Sequence, residues 1–206
     1  MSAVLERVRV VQMGLSAYEP TVEAMRDFTA QRNADTRDEL WLLEHPPVYT
    51  LGLAADPAHG PAAGGTIPVL QVERGGEITY HGPGQIVLYT LVDLARRGIK
   101  VKQFVSMLEQ AVIDLLEGRA ARKPGAPGVY AGGAKVAALG IRVSRGCAYH
   151  GLALNVDMDL TPFSSIDPCG YPGLQVTQTR DLGMKESKEI LGKNLAGILV
   201  GKLEHA

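Results

Sequence analysis

Apolar and charged residues alternate over residues 4–13, where Glu6, Arg7 and Arg9 punctuate a run of valine, leucine and methionine. That period of two predicts a first strand. Tyr18-Glu19-Pro20 breaks it, Pro20 suits a helix start, and Val22, Met25 and Phe28 then fall on one helical face. The polar stretch 32–38 ends this helix, and the short apolar run 39–44 reads as an inner strand. His45-Pro46-Pro47 forces an extended exit into a short strand at 48–52. Residues 54–65, rich in Ala, Gly and Pro, predict a loop, and strand character returns at 67–72 and strongly at 86–94. Over 101–117 the residues Phe104, Leu108, Ala111, Val112 and Leu115 recur at helical spacing, with Gly118 as terminator. Residues 124–133 predict a loop. A hairpin follows, with strands at 135–143 and 147–156 around Ser144-Arg145-Gly146. One helical turn is expected within 159–166, and a final helix from about residue 187, with Leu191, Leu195, Leu199 and Leu203 on one face. Strands and helices mix without regular βαβ alternation, so the fold class is α+β or mixed α/β.

At 206 residues and 46% hydrophobic content, the chain is long and apolar enough for one domain over 1–206 without disulfides or structural metal. A net charge of −1 supplies no basic field of the kind that draws nucleic acid. The N-terminal stretch lacks the apolar core of a signal peptide, and no run is long enough to span a membrane, so a cytoplasmic protein is expected. The histidines are scattered and no Cys-x-x-Cys occurs, which argues against a dedicated metal site. The glycines cluster in discrete loops, a sign of backbone packed close to a ligand.

The hairpin has a chemical consequence. It returns the chain so that Asn155 lies beside Lys135, and a short segment then leads to Cys169. A free thiol has a pKa of about 8.5, and a neighbouring ammonium or amine favours or creates its thiolate. Pro168 fixes the approach to Cys169, and Gly170 leaves both the sulfur and a backbone N–H open. A cysteine also fits the role of a small buried hydrophobe, and the residues alone leave both readings open. Cys147, on the hairpin, reads as packing. His81 and His150 are alternative bases for Cys169. The glycine-rich block 74–85, bordered by Arg74 and His81, is a candidate substrate wall or a structural turn. Small residues at Ala137, Ala138, Gly140, Gly151 and Ala153 leave room for an acyl chain or for close strand packing. Arg119, Arg122, Lys123 and Arg145 form a local basic group, a solvated helix end or a surface for an acidic carrier.

Nucleotide signatures are missing: Gly132-Gly133-Ala134-Lys135 lacks P-loop spacing, Gly82-Pro83-Gly84 lacks a third glycine, and no Gly-x-Ser-x-Gly occurs. The segments RGGEITYHGPGQIVLYTLVDL, GAKVAALGIRVSRGCAYHGLALNV and PCG, in that order, closely resemble the lipoyl(octanoyl) transferase family. HPPVYTLG and MDLTPF extend the likeness over most of 40–173. The glycine-rich loop ending in His81 is also similar to that of lipoate–protein ligases, which share the fold of biotin–protein ligases.

This resemblance implies a mixed sheet packed with helices and a cofactor-free acyltransferase. Octanoyl–acyl carrier protein would donate its acyl group to Cys169, with Lys135 as base or thiolate activator. A lysine on a lipoyl domain of a 2-oxoacid dehydrogenase E2 subunit, or on the glycine-cleavage H protein, would then receive it. The family's substrate contacts match Arg74, Gly75, Gly76, Glu77, Ile78, Thr79, Tyr80 and His81 in the first block. On the hairpin they match Ala138, Leu139 and Gly140, and Gly151, Leu152 and Ala153. Two alternatives stay open: an ATP-dependent lipoate–protein ligase of the same fold, and a non-catalytic module that binds acyl carrier or lipoyl domains.

Overall fold

The computed structural model describes residues 8–62, 64–168 and 173–206. The chain opens with β1 (Arg9–Leu15), α1 (Tyr18–Gln31) and β2 (Glu39–Glu44). β1 and β2 pair in parallel, Arg9 opposite Glu39, so they need the crossover that α1 provides. The expected start of the first strand, at 4–7, lies outside the described residues. Its end runs past Met13 to Leu15 through a register irregularity between Gln12 and Gly14.

A seven-stranded sheet runs in the order β1, β2, β6 (Gln85–Asp93), β10 (Cys147–Asn155), β9 (Ala134–Ser144), β8 (Ala126–Ala131), β7 (Ala121–Lys123). Its middle strand is β10, flanked by β6 and β9, and β2 lies on the far side of β6. The near-continuous apolar runs of β2 and β6 follow from burial on both faces. Leu40, Leu42, Ile86 and Leu88 face α3 (Val101–Leu115), which follows the one-turn α2 (Leu94–Arg97), and α4 (Lys188–Glu204) in the larger core. Trp41, Leu43, Val87 and Tyr89 face the other way, into a second core with Tyr18, Val22 and Met25 of α1. A three-stranded sheet, β4 (Val69–Gln71), β3 (Val48–Leu51) and β5 (Ile78–His81), covers that second face. The architecture is thus the expected mixed sheet packed with helices, and no described helix is long and apolar enough to cross a membrane.

The hairpin of β9 and β10 closes through Arg145 (φ 48°) and Gly146 (φ 80°), with Ser144 opposite Cys147. Two consecutive positive φ values are what a tight type I′ hairpin requires. Residues 124–133, expected as a loop, are instead mostly strand. β7 (Ala121–Lys123) and β8 (Ala126–Ala131) form a second hairpin, and β8 pairs with β9. Pro127 and Gly128 misdirect the prediction. They sit where the ladder shifts register between Arg122 and Lys123, so the missing proline N–H costs no ladder bond. The carbonyl of Pro127 and the N–H of Gly128 are used by side chains instead: Lys135 Nζ donates to the first at 3.1 Å, and Glu109 accepts from the second at 3.0 Å.

One buried carboxylate ties the periphery to the sheet. Asp38 is 2% exposed and receives the guanidinium groups of Arg32, Arg96 and Arg97, with the Asp93 N–H as a further donor at 2.9 Å. Arg97 also donates to Leu203 O at 2.6 Å. The end of α1, the start of β2, the end of β6 and the C-terminus of α4 therefore meet at one residue. Burial alone would raise the Asp38 carboxyl, but the Asp93 N–H together with Arg97 and Arg32 outweighs it and holds the group below the usual range.

Asp38→Asn leaves the buried guanidinium groups of Arg32 and Arg97 uncompensated, so a loss of about 3–5 kcal/mol is expected at neutral pH. Because the folded carboxyl titrates low, its contribution is complete above the unfolded value of about 3.9 and fades as pH falls through the folded value. Urea unfolding of both proteins at pH 7 and below pH 4 checks this. Equal stability at pH 7 contradicts it.

Candidate active site

A cavity of about 420 Å³ lies between the two sheets. Its floor is Val87 and Tyr89 of β6, Gly151, Leu152 and Ala153 of β10, and Ala138, Leu139 and Gly140 of β9. Its roof is the segment 74–79 together with His81, and Tyr18 closes one side. The roof descends this far because glycines let backbone approach backbone. Gly75 N–H donates to Ile141 O at 3.0 Å, and a Cβ on Gly140 would stand 2.6 Å from Gly75 O. A Cβ on Gly151 would stand 2.1 Å from Leu88 O. Gly140 and Gly151 are register partners across the hairpin, so the floor is thinned on both strands at one level.

Arg74 is neither a surface residue nor a loop ornament. It is buried at 8% exposure and donates through Nη2 to Thr50 O at 2.7 Å and through Nη1 to Gly75 O at 3.0 Å, so it anchors the roof. Of the predicted substrate-contact residues, all but Tyr80 line this cavity. Tyr80 packs its ring against Tyr49 and Phe163, because β5 alternation turns it away from the face that carries Thr79 and His81.

Two histidines, His81 and His150, line the cavity, a third, His45, stands behind its Tyr89 wall, and burial keeps all three neutral at physiological pH. His45, whose place here the sequence did not signal, sits between Ser16 O at 2.6 Å and Tyr89 Oη at 2.7 Å. Burial pushes it down to about 4, against the opposing effect of the hydrogen bond it donates to Ser16 O. His150 has φ 61°, and neither ring nitrogen has a hydrogen-bond partner among the described residues. Burial, then the Arg74 guanidinium, lowers it to about 3. His81 bonds Gln85 Oε1 through Nδ1 at 2.7 Å and is held well below 6.5 by burial first and by His45 and Arg74 next. A cationic imidazole is therefore expensive at each position.

Lys135 is 4% exposed. Its ammonium donates to Pro127 O and lies 5.1 Å from the Tyr130 ring centre. Its backbone is pinned on both sides, N–H to Gln175 O at 2.8 Å and C=O to Thr177 N–H at 3.0 Å. A narrow crevice here is walled by Thr79, Gln85, Lys135, Ala138, Asn155 and Pro168, among others. Thr79 and Ala138 are also walls of the large cavity, so crevice and cavity adjoin. Asn155 thus lies beside Lys135, as the hairpin geometry requires. Cys169 and Gly170 lie outside the described residues, but Pro168, next to Cys169 in sequence, lines the lysine crevice.

The remaining candidates sort readily. Cys147 is buried, its sulfur 3.8 Å from Arg145 O, and burial pushes its thiol up, which fits packing. The basic group is engaged within the chain. Arg119 pairs with Glu117, Arg122 with Glu109, Lys123 lies over Tyr130, and Arg145 donates to Ala30 O.

The family described as lipoyl protein ligase A/B catalytic domain matches residues 18–193. A protein of Thiobacillus denitrificans named octanoyltransferase is 63% identical over 183 residues, covering 87% of this chain and 84% of its own. Among solved structures, a bipartite lipoate protein ligase from Thermoplasma acidophilum, described with its E2 lipoyl domain, superposes with a TM-score of 0.75. It shares 14% identity and covers 97% of this chain and 84% of that one. A biotin protein ligase from Aquifex aeolicus superposes with a TM-score of 0.56 at 11% identity, covering 97% of this chain and 69% of that one.

The neutral histidines set an acid limit. Unfolded, His45 and His150 titrate near 6.5; folded, they titrate near 4 and 3. As pH falls below 6.5 the unfolded chain takes up protons that the folded chain refuses, so stability declines from 6.5 towards 4. Urea midpoints across this range should fall steadily, and less steeply in His45→Gln. A flat profile in the wild type contradicts the burial of neutral imidazoles.

Proposed function

Because this chain belongs to the lipoyl protein ligase A/B catalytic-domain family, we propose that it transfers an octanoyl group from a carrier thioester to a lysine of a lipoyl domain. The observation that carries this reading is the junction of a largely apolar cavity with a crevice holding one buried lysine. The octanoyltransferase name of a relative 63% identical to it supports the acyl group. The donor is octanoyl–acyl carrier protein. The acceptors are lipoyl domains of 2-oxoacid dehydrogenase E2 subunits and the glycine-cleavage H protein. The whole chain, 1–206, serves as one catalytic domain.

The chemistry runs in two steps. Cys169 sulfur attacks the thioester carbonyl; a new C–S bond forms and the carrier thiol leaves with a proton. An amine of the acceptor lysine then attacks the same carbon, a C–N bond forms, and Cys169 recovers its thiol. Lys135 stabilises the thiolate or exchanges the proton, and the pair titrates as one system. The octanoyl chain lies along Ala138, Leu139, Gly140, Gly151, Leu152 and Ala153 under the roof from Arg74 to His81. Each buried CH₂ contributes about 0.8 kcal/mol, roughly fourfold in binding, so such a cavity grades chain lengths gently until its end wall stops them. Energy for the amide comes from the thioester, so ATP is not consumed.

Octanoyl transfer to a purified lipoyl domain, followed by mass without ATP, tests this. Lys135→Met should lower the rate by at least about a hundredfold, since an acid–base group typically contributes about 10²–10⁴-fold, while thermal unfolding stays cooperative. Full activity in that variant removes the lysine from the mechanism. A strict ATP requirement assigns the protein to the ligase class.

A further inference from the structure

We propose that Thr177, Asn155 and Gln85 form a relay that locks His81 in its Nδ1–H tautomer, so that Nε2 presents a fixed hydrogen-bond acceptor to the amine receiving the acyl group. The proposal rests on the acyl-transfer reading above and adds a positioning device to it.

The tautomer follows from two backbone carbonyls, each of which can only accept. Asn155 Nδ2 donates to Thr177 O at 3.0 Å, so Asn155 Oδ1 is the atom that faces Gln85. Gln85 Nε2 donates to that oxygen at 2.9 Å and also to Tyr80 O at 3.2 Å. Both bonds orient the Gln85 amide the same way and leave Oε1 towards His81 Nδ1 at 2.7 Å. An oxygen without hydrogens must accept, so Nδ1 carries the proton and Nε2 of the neutral ring carries only its lone pair. Gln85, Asn155 and His81 are 1%, 4% and 5% exposed, so solvent cannot readily stand in for any member. Burial and the neighbouring His45 and Arg74 disfavour the imidazolium, which suits a permanent acceptor rather than a base.

The relay also reaches the lysine. Thr177, which accepts from Asn155, donates its N–H to Lys135 O, and Gln85 and Asn155 line the Lys135 crevice. Thr79, two residues before His81 on the same face of β5, borders both crevice and cavity. His81 itself lines the cavity, and Thr79 on the same strand face joins that wall to the lysine crevice.

An amine has two N–H groups when it attacks an acyl carbon. As the C–N bond forms and the C–S bond breaks, one proton leaves and passes to the Cys169–Lys135 pair. The other stays in the amide. An acceptor holding the hydrogen that stays aims the lone pair at the carbonyl carbon. His81 itself gains no proton.

Two readouts test this. The first is the ¹⁵N spectrum of the histidine ring in the wild type and Gln85→Leu. His81 should show a protonated Nδ1 and an unprotonated Nε2, and Gln85→Leu should lose that fixed pattern. A protonated Nε2 in the wild type overturns the proposal whatever the reaction is. The second is steady-state transfer, in which kcat/KM for donor and for acceptor report separate half-reactions. His81→Leu should lower the acceptor value at least about tenfold more than the donor value, the effect of one lost transition-state hydrogen bond. His81→Gln, whose side-chain oxygen can accept, should recover part of it. Equal losses in both half-reactions, or no recovery with Gln, overturn the proposal. If the wild type transfers no octanoyl group, the proposed function fails, while the nitrogen spectrum still decides the tautomer.

Discussion

The register of the β9–β10 hairpin is the constraint on which the rest depends. Arg145 and Gly146 close the turn, and their positive φ values allow only a tight connection. From there the pairing runs residue for residue, Gly140 opposite Gly151 and Ala138 opposite Ala153. These small residues floor the cavity, and Gly140 and Gly151 admit the roof and β6 backbones to contact distance. A slip of one residue would bring Leu139 and Leu152 to those positions and reverse every side chain. The same register ends the hairpin with Lys135 and Asn155 at one crevice. Cavity shape and lysine position are thus two consequences of one turn.

The polar groups around the cavity are unusually costly. Arg74, His45, His81 and His150 are all buried, and the two His150 ring nitrogens, without a hydrogen-bond partner among the described residues, accompany a backbone in the left-handed region. Such features weaken a fold unless the surroundings over-determine them. Here the cores on both faces of the sheet and the Asp38 cluster supply that rigidity. Fixed neutral dipoles beside an apolar chamber suit a reaction in which charge appears briefly on a carbonyl oxygen and an amine. They suit a resting anion much less.

The sequence was most legible where one local rule decides. β2 matches its apolar run end for end, and the stripe of α3 and the start of α4 lie where periodicity puts them. The turn of the hairpin was visible in Arg145-Gly146. Legibility failed where a long-range contact overrides a local signal. Pro127 and Gly128 look like loop residues, yet β9 on one side and β7 on the other recruit them into a strand through a register shift. His45 looks like part of a proline-rich exit, and only its contact with Tyr89, 44 positions away, ties it to the cavity wall. The Asp38 cluster joins four segments far apart in sequence and has no local signature. The residues expected through family likeness to contact substrate line the cavity, apart from Tyr80, whose alternation on β5 points it to another core.

The central claim is that the lysine crevice and the adjoining cavity serve one acyl group carried on Cys169. An intact-protein mass spectrum after mixing with octanoyl–acyl carrier protein, without ATP and beside Cys169→Ser, tests it most directly. The account predicts an octanoyl adduct on the wild type alone, discharged when a lipoyl domain is added. No adduct, with lipoyl-domain modification appearing only when ATP and free octanoic acid are supplied, would contradict it.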